Sequence, residues 1–161
     1  MSRLDSFIRR LEAQRACLGL AAHLVQDVPG PVLELGLGNG RTYDHLRGLF
    51  PGREIFAFDR ALAAHPDCVP DGAHFVLGDM RETLARFRPP APAALVHADI
   101  GSGEEAASRM LAAALAPLVA RLLAPGGVVV GDQPMDDASW EEVALPAGVA
   151  PGRYVLRRRV R

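Results

Sequence analysis

The stretch VLELGLGNGRTYDHL, residues 32–46, runs a short apolar segment into glycines at every second position and then into a helix-type sequence. Val32, Leu33 and Leu35 have the apolar density of a strand covered on both faces. Gly36, Gly38 and Gly40 let the backbone turn tightly and approach a ligand with no Cβ in the way. A strand, a glycine turn and a helix in this order belong to an open α/β sheet, in which ligands bind beyond the carboxyl ends of the strands.

Outward from this unit the same alternation continues. Short β-type runs occur at PVLELG (31–36), REIFAFD (53–59), AHFVLGD (73–79), AALVHAD (93–99) and GGVVVGD (126–132). Helix-type segments lie between them at 42–50, 81–87 and 104–123, while the 60–72 link is too broken by proline for a good helix. Near-continuous apolar strands alternating with helices predict a parallel sheet covered on both sides. Residues 3–26 read as one amphipathic helix, or two with a break near Gly19, started by a Ser2/Asp5 capping box; Leu4, Ile8, Leu11, Leu18, Ala22 and Val25 fall at helical spacing. The tail, SWEEVALP (139–146) and RYVLRRRVR (153–161) around a Gly/Pro loop, reads as an antiparallel hairpin. The expected fold class is α/β: a three-layer sandwich with a mostly parallel seven-stranded sheet, a C-terminal antiparallel hairpin and an N-terminal helix. Residues 1–161 read as a single domain, with 1–28 as a helical lid or oligomerisation segment.

Composition narrows the function. The 161 residues carry a formal net charge of −1, so no global field attracts nucleic acid or an anionic membrane. All 18 basic residues are arginine, which excludes lysine Schiff-base chemistry and a Walker-type phosphate lysine. Cys17 and Cys68 fit no metal-type spacing and read as reduced thiols. The charged N-terminal segment is neither a signal peptide nor a membrane span, so a cytoplasmic location is expected.

The glycine turn does not suit a dinucleotide. The fingerprint G-x-G-x-x-G places a third small residue at position 41, where this chain has Arg41. Glu34, in an otherwise apolar strand end, needs a partner against a desolvation cost of several kcal/mol, on the order of magnitude of buried charges generally. A cationic amine on a ligand would supply one; the alternative is a buried ion pair with an arginine. Asp59 ends the second strand, twenty-three residues past Gly36, where an acid can accept from ribose hydroxyls. Gly78-Asp79-Met80 ends the third strand on the same edge. Asp59 and Asp79 as helix or turn caps, and Met80 as core filler, are the plainer alternatives.

Taken together, these motifs resemble those of the class I, Rossmann-like S-adenosylmethionine-dependent methyltransferases. VLELGLGNG is similar to the family's first motif, FAFD to the acidic end of its second strand, VLGD to the end of its third, and LLAPGGVVVGD to the segment entering its fifth. The resemblance implies that Glu34 and the backbone from Gly36 through Leu37, Gly38 and Asn39 to Gly40 hold the methionine part, the acid favouring its ammonium group. It implies that Asp59 grips the ribose diol and that Asp79, with the Gly78 turn and Met80, serves the adenine. Thr42, Tyr43, Arg60 and Ile100 complete the implied cofactor contacts, and Asp99 lies by the methyl group and the substrate. The cofactor so implied is S-adenosyl-L-methionine, leaving as S-adenosyl-L-homocysteine.

Methyl transfer needs in-line placement of a nucleophile, and a base only where the acceptor must lose a proton. Asp99 is the first candidate for that base and His45, one turn into the helix after the glycines, the second; His97 reads as a hydrogen-bonded core histidine. DIGSG after strand four departs from the N-P-P-aromatic motif of amino-group methyltransferases acting on DNA. The segment looks more like small-molecule O-methyltransferases, in which an aspartate and an Asp-Asn pair bind a divalent metal. Glutamine in Asp132-Gln133 argues against a metal here. Arg153, Arg157, Arg158, Arg159 and Arg161 read as a solvated terminal strand, with no interleaved aromatics to stack on bases. The acceptor pocket is expected from the N-terminal helix and the loops at 100–106 and 132–140, the latter with Met135 and Trp140. The expected partner is therefore a small-molecule acceptor, without membrane or nucleic acid, and a homo-oligomer would cover so thin a pocket. The alternatives are a non-catalytic module binding the same cofactor, and an NAD(P)-binding oxidoreductase.

Overall fold

The computed structural model describes residues 2–160. Helix α1 spans Arg3–Leu24, followed by strand β1 Val32–Leu35, helix α2 Arg41–Leu49, strand β2 Ile55–Asp59 and strand β3 Phe75–Leu77. Helix α3 Met80–Arg86, strand β4 Ala93–Ala98, helix α4 Glu105–Leu122 and strand β5 Leu123–Gly131 come next, before the short strands β6 Trp140–Glu142 and β7 Val155–Arg159. The seven strands lie in the order β3-β2-β1-β4-β5-β7-β6. Pairing is parallel from β3 to β5, and antiparallel between β5 and β7 and between β7 and β6.

Two-residue alternation divides the core. Val32, Ile55, Leu95 and Val128 face α1 and α2, where they pack with Cys17, Leu18, Ala21 and Leu46. Leu33, Leu35, Phe58 and Val96 face α3 and α4 and pack with Leu84, Ala112, Leu115 and Val119. The strand order reverses between β1 and β4, so the crevice of the sheet opens past Leu35 and Ala98.

Some boundaries differ from the sequence reading. Helix α1 is unbroken at Gly19 and opens on the Ser2/Asp5 capping box, with Ser2 Oγ accepting from Asp5 N–H at 3.0 Å. Its buried side is Ala13, Gln14, Cys17, Leu18 and Ala21, whereas Leu4 and Ile8 are 66% and 44% exposed. The first turns lie off the sheet, and Phe7 and Leu11 face the crevice in place of the core. The 60–72 link holds only a 3-10 turn at Pro66–Cys68. Burial pushes the Cys17 thiol up to about 11, consistent with an inert core cysteine. The hairpin arms are shorter than expected, and their arginines have structural work: Arg157 Nε pairs with Asp136 at 2.7 Å and Arg159 donates to the Ala120 carbonyl at 3.3 Å. Arg161 lies outside the described residues. Among the described residues no helix is long and apolar enough to cross a membrane.

Candidate active site

The glycine turn joins β1 to α2. Gly36, Gly38 and Gly40 take φ of +92°, +51° and +85°, in the left-handed half of the map that side chains disfavour. A Cβ on Gly36 would collide with the carbonyl oxygen of Asp99, and one on Gly40 with Cys68, while nothing lies within 4 Å of that position on Gly38. The outer glycines are thus needed for packing, and the middle one leaves open backbone facing the crevice. That is a cradle suited to a ligand that lies close against the chain.

The strand-end acids have distinct partners. Asp59 accepts from Gly38 N–H at 3.0 Å and from Arg60 N–H at 2.7 Å, tying the glycine turn to β2. Asp79 caps α3 by accepting from Arg81 N–H at 2.9 Å, and it is forked by the Arg81 guanidinium at 3.0 and 2.6 Å. Those bonds hold its carboxyl down at about 2. Asp99 is met from α1 by Arg10 Nη2 at 2.7 Å and Gln14 Nε2 at 3.2 Å. Asp132 accepts from Ile100 and Gly101 N–H at 3.0 and 2.9 Å; burial, then the charge of Asp99, raises its pKa. Both of its oxygens are therefore committed to the backbone of the loop after β4.

Two lobes of one crevice meet over these residues. The larger, of about 570 Å³, runs between Asp59, Asp79, Met80 and Ile100 to an apolar wall of Met110 and Leu111 on α4. The smaller, of about 260 Å³, lies between the Gly36–Asn39 turn and α1, which contributes Phe7, Arg10, Leu11 and Gln14. Gly36, Asp59, Asp99 and Gly101 line both. The size and the mixture of apolar wall with convergent polar groups suit a small organic ligand.

The crevice brings together Gly36, Leu37, Gly38, Asn39, Thr42, Asp59, Arg60, Asp79, Met80, Asp99 and Ile100 of the predicted contacts. Gly40 and Gly78 shape the turns behind it, the latter at φ +142°. Tyr43 is placed in the core, because its position on α2 points at the sheet, and the Arg47 guanidinium lies over its ring at 5.2 Å. His45, on the same helix, is half-buried and not among the lining residues. Met135 is buried and Trp140 half-buried against the α3–α4 core, so the 132–140 loop supplies neither as a crevice wall. The N-terminal helix contributes as expected, but which of its residues do so, and the α4 wall, were not legible: in one sequence, positions 7, 10, 11 and 14 look like any face of an amphipathic helix.

Glu34 differs most from expectation. It is fully buried, directly opposite His97 across the β1–β4 pair. Thr42 Oγ1 donates to one carboxylate oxygen, and His97 Nδ1 lies 2.6 Å from the other. The charge has its partner inside the chain, and that partner is a histidine in place of an arginine or a ligand amine. His97 Nε2 reaches Tyr154 Oη at 2.9 Å, and Gln14 Nε2 bridges Tyr154 Oη at 2.8 Å to Asp99. Burial disfavours the imidazolium, but the adjoining Glu34 carboxylate, with Asp99 and Asp132 beyond it, raises His97 above the ordinary histidine value. A continuous line of buried hydrogen bonds thus runs from β1 to the acid at the mouth of the crevice.

A parallel α/β sheet with an antiparallel terminal pair, acids at its strand ends and a glycine cradle at the switch point define the class I, Rossmann-like methyltransferase architecture. The family profile for S-adenosyl-L-methionine methyltransferases matches residues 1–159, and the chain belongs to that family. A crystal structure of an S-adenosyl-L-methionine methyl transferase from Silicibacter pomeroyi is 47% identical, covers 99% of each chain and superposes with a TM-score of 0.91. TrmN from Thermus thermophilus shares the fold at 18% identity over 92% of this chain and 52% of its own, with a TM-score of 0.60. CalS10, an amino pentose methyltransferase from Micromonospora echinaspora, does so at 20% identity over 91% and 64%, with a TM-score of 0.53. The sequence matches no curated protein.

Proposed function

We propose that this S-adenosylmethionine-dependent enzyme holds its cofactor across both lobes of the crevice and passes the methyl group to a small organic acceptor. The observation that carries the reading is the sharing of Gly36, Asp59 and Asp99 by the two lobes at the switch point. A nucleoside then occupies the larger lobe, with its ribose at Asp59 and its base between Met80 and the Met110/Leu111 wall. The amino-acid part occupies the smaller lobe over Gly38. Bound there, the cofactor supplies an electrophilic methyl carried on a sulfonium sulfur.

The chain's part is chiefly placement. Holding acceptor and methyl donor in line removes on the order of 7–11 kcal/mol of the barrier by proximity. Asp99, at the junction of the lobes and 25% exposed, faces the cofactor's amino-acid part, and an acceptor that attacks as a neutral nucleophile needs no base from the chain. The lining of the smaller lobe, which comes from α1, the glycine turn and the loop after β4, supports a small acceptor. The exposed Leu4, Phe7 and Ile8 support self-association along α1.

Calorimetry with S-adenosylmethionine, S-adenosylhomocysteine and NADPH in parallel tests the reading. The first two are expected to bind and to raise the melting temperature, and Asp59→Ala to weaken both about tenfold or more, as loss of a charge-assisted hydrogen bond does. Silence toward the first two with a response to NADPH would overturn it.

A further inference from the structure

We infer that the cofactor's amino-acid end is read by an Arg10–Asp99 clamp that spans α1 and β4, and that Glu34 takes no direct part. This rests on the cofactor reading above. Of the strand-end acids, Glu34 is sealed, with both oxygens engaged by Thr42 and His97. Asp59, tied to the amides of Gly38 and Arg60, has its remaining lone pairs for the ribose in the larger lobe, and Asp79 is paired with Arg81. Asp99 alone faces the smaller lobe with an exchangeable partner: the Arg10 guanidinium, itself 43% exposed, lining the same lobe and 2.7 Å away.

An α-amino acid carries an ammonium and a carboxylate on one carbon. A resident Asp–Arg pair offers the complementary charge to each. When the zwitterion enters, Asp99 Oδ1 exchanges the guanidinium for the ammonium, and Arg10, freed from Asp99, takes the carboxylate in the forked geometry that guanidinium favours. One ion pair becomes two. Asp99 Oδ2 stays with Gln14, which Tyr154 and the His97–Glu34 pair hold in place. Glu34 is in this arrangement the buried anchor of the clamp's support.

Three ligands separate the two ends: S-adenosylhomocysteine, its decarboxylated analogue S-adenosyl-3-thiopropylamine, and 5′-methylthioadenosine, which lacks the amino-acid carbon altogether. Wild-type protein should prefer the first over the second about tenfold or more, the value of a charged hydrogen bond. Arg10→Ala should lose that preference and bind the other two as before, its intact binding of 5′-methylthioadenosine showing that the cleft is folded. Asp99→Asn should weaken the first two ligands alike and spare the third. Glu34→Gln should leave the order of the three unchanged. The clamp is overturned if Arg10→Ala binds S-adenosylhomocysteine as well as wild type or better, which would make Arg10 a plug, or if it loses all three equally. A selective loss of the two amine-bearing ligands in Glu34→Gln would return the ammonium to Glu34 and overturn it too. Wild-type protein that binds all three with no preference also overturns the clamp, whereas one that binds none of the three fails the cofactor reading itself.

Discussion

At Gly36 two constraints coincide: a φ of +92° and a Cβ position already filled by the Asp99 carbonyl. Gly38 has only the first, at +51° with open space beside it. Gly38→Ala should therefore cost about 1–2 kcal/mol, the penalty for a side chain in left-handed backbone. Gly36→Ala should cost more than that and also push the end of β4 away from β1, because the obstacle is backbone that cannot rotate aside. Urea unfolding of the two variants checks the order, and calorimetry should find cofactor affinity lost in Gly38→Ala as well, whose Cβ enters the open cradle that the ligand lies against. The glycines themselves are visible in the sequence. Which one is bound by sterics is not, because the colliding atom is sixty-three residues away.

Among the elements, α1 depends most on tertiary partners. Its alternation in the sequence suggests a stripe through Leu4 and Ile8, yet the buried face is centred on Gln14, Cys17 and Leu18. A helix buries whichever side meets the sheet, and here Gln14 is drawn inward because Tyr154 and Asp99 satisfy its amide. Tyr154→Phe leaves the ring and removes one hydroxyl that joins His97 to Gln14. The expected cost is about 1–3 kcal/mol, that of leaving buried polar groups unpaired. Hydrogen exchange should quicken in Ala13–Ala21 of α1 before it does in β1 or β4, since the bond lost is one of those that tie this helix to the sheet. Strands β1, β2, β4 and β5 were legible from apolar runs, and the 3-10 turn at Pro66–Cys68 was consistent with a proline-broken link. The short β3 and β6 strands fall inside the runs read at 73–79 and 139–146, and only their extent was not legible, because three-residue segments carry too little pattern.

For the whole molecule, buried His97 and Tyr154 and the hydrogen-bonded carboxylates nearer the surface set the pH dependence of stability. His97 is raised by Glu34, so its contribution is complete below the unfolded histidine value of about 6.5 and is lost as pH rises through the folded value. Tyr154, raised by burial, acts in the same sense at higher pH. Asp79 at about 2, and Asp5, lowered by its bonds to Ser2, act oppositely: what they contribute is present above about 3.9 and lost as pH falls through their folded values. The urea midpoint should therefore be higher at pH 6 than at pH 9, and His97→Asn should flatten that difference while lowering stability throughout. By itself the sequence determined the alternation of strands and helices, the glycine turn, and the row of acids at the strand ends, because each is written in local periodicity or in residues a few positions apart. Only the tertiary structure decided which of those acids is sealed and which lie at the crevice. That choice depends on burial and on partners from distant segments, with Thr42 and His97 closing off Glu34 and α1 bringing Arg10 to Asp99 across eighty-nine residues of chain.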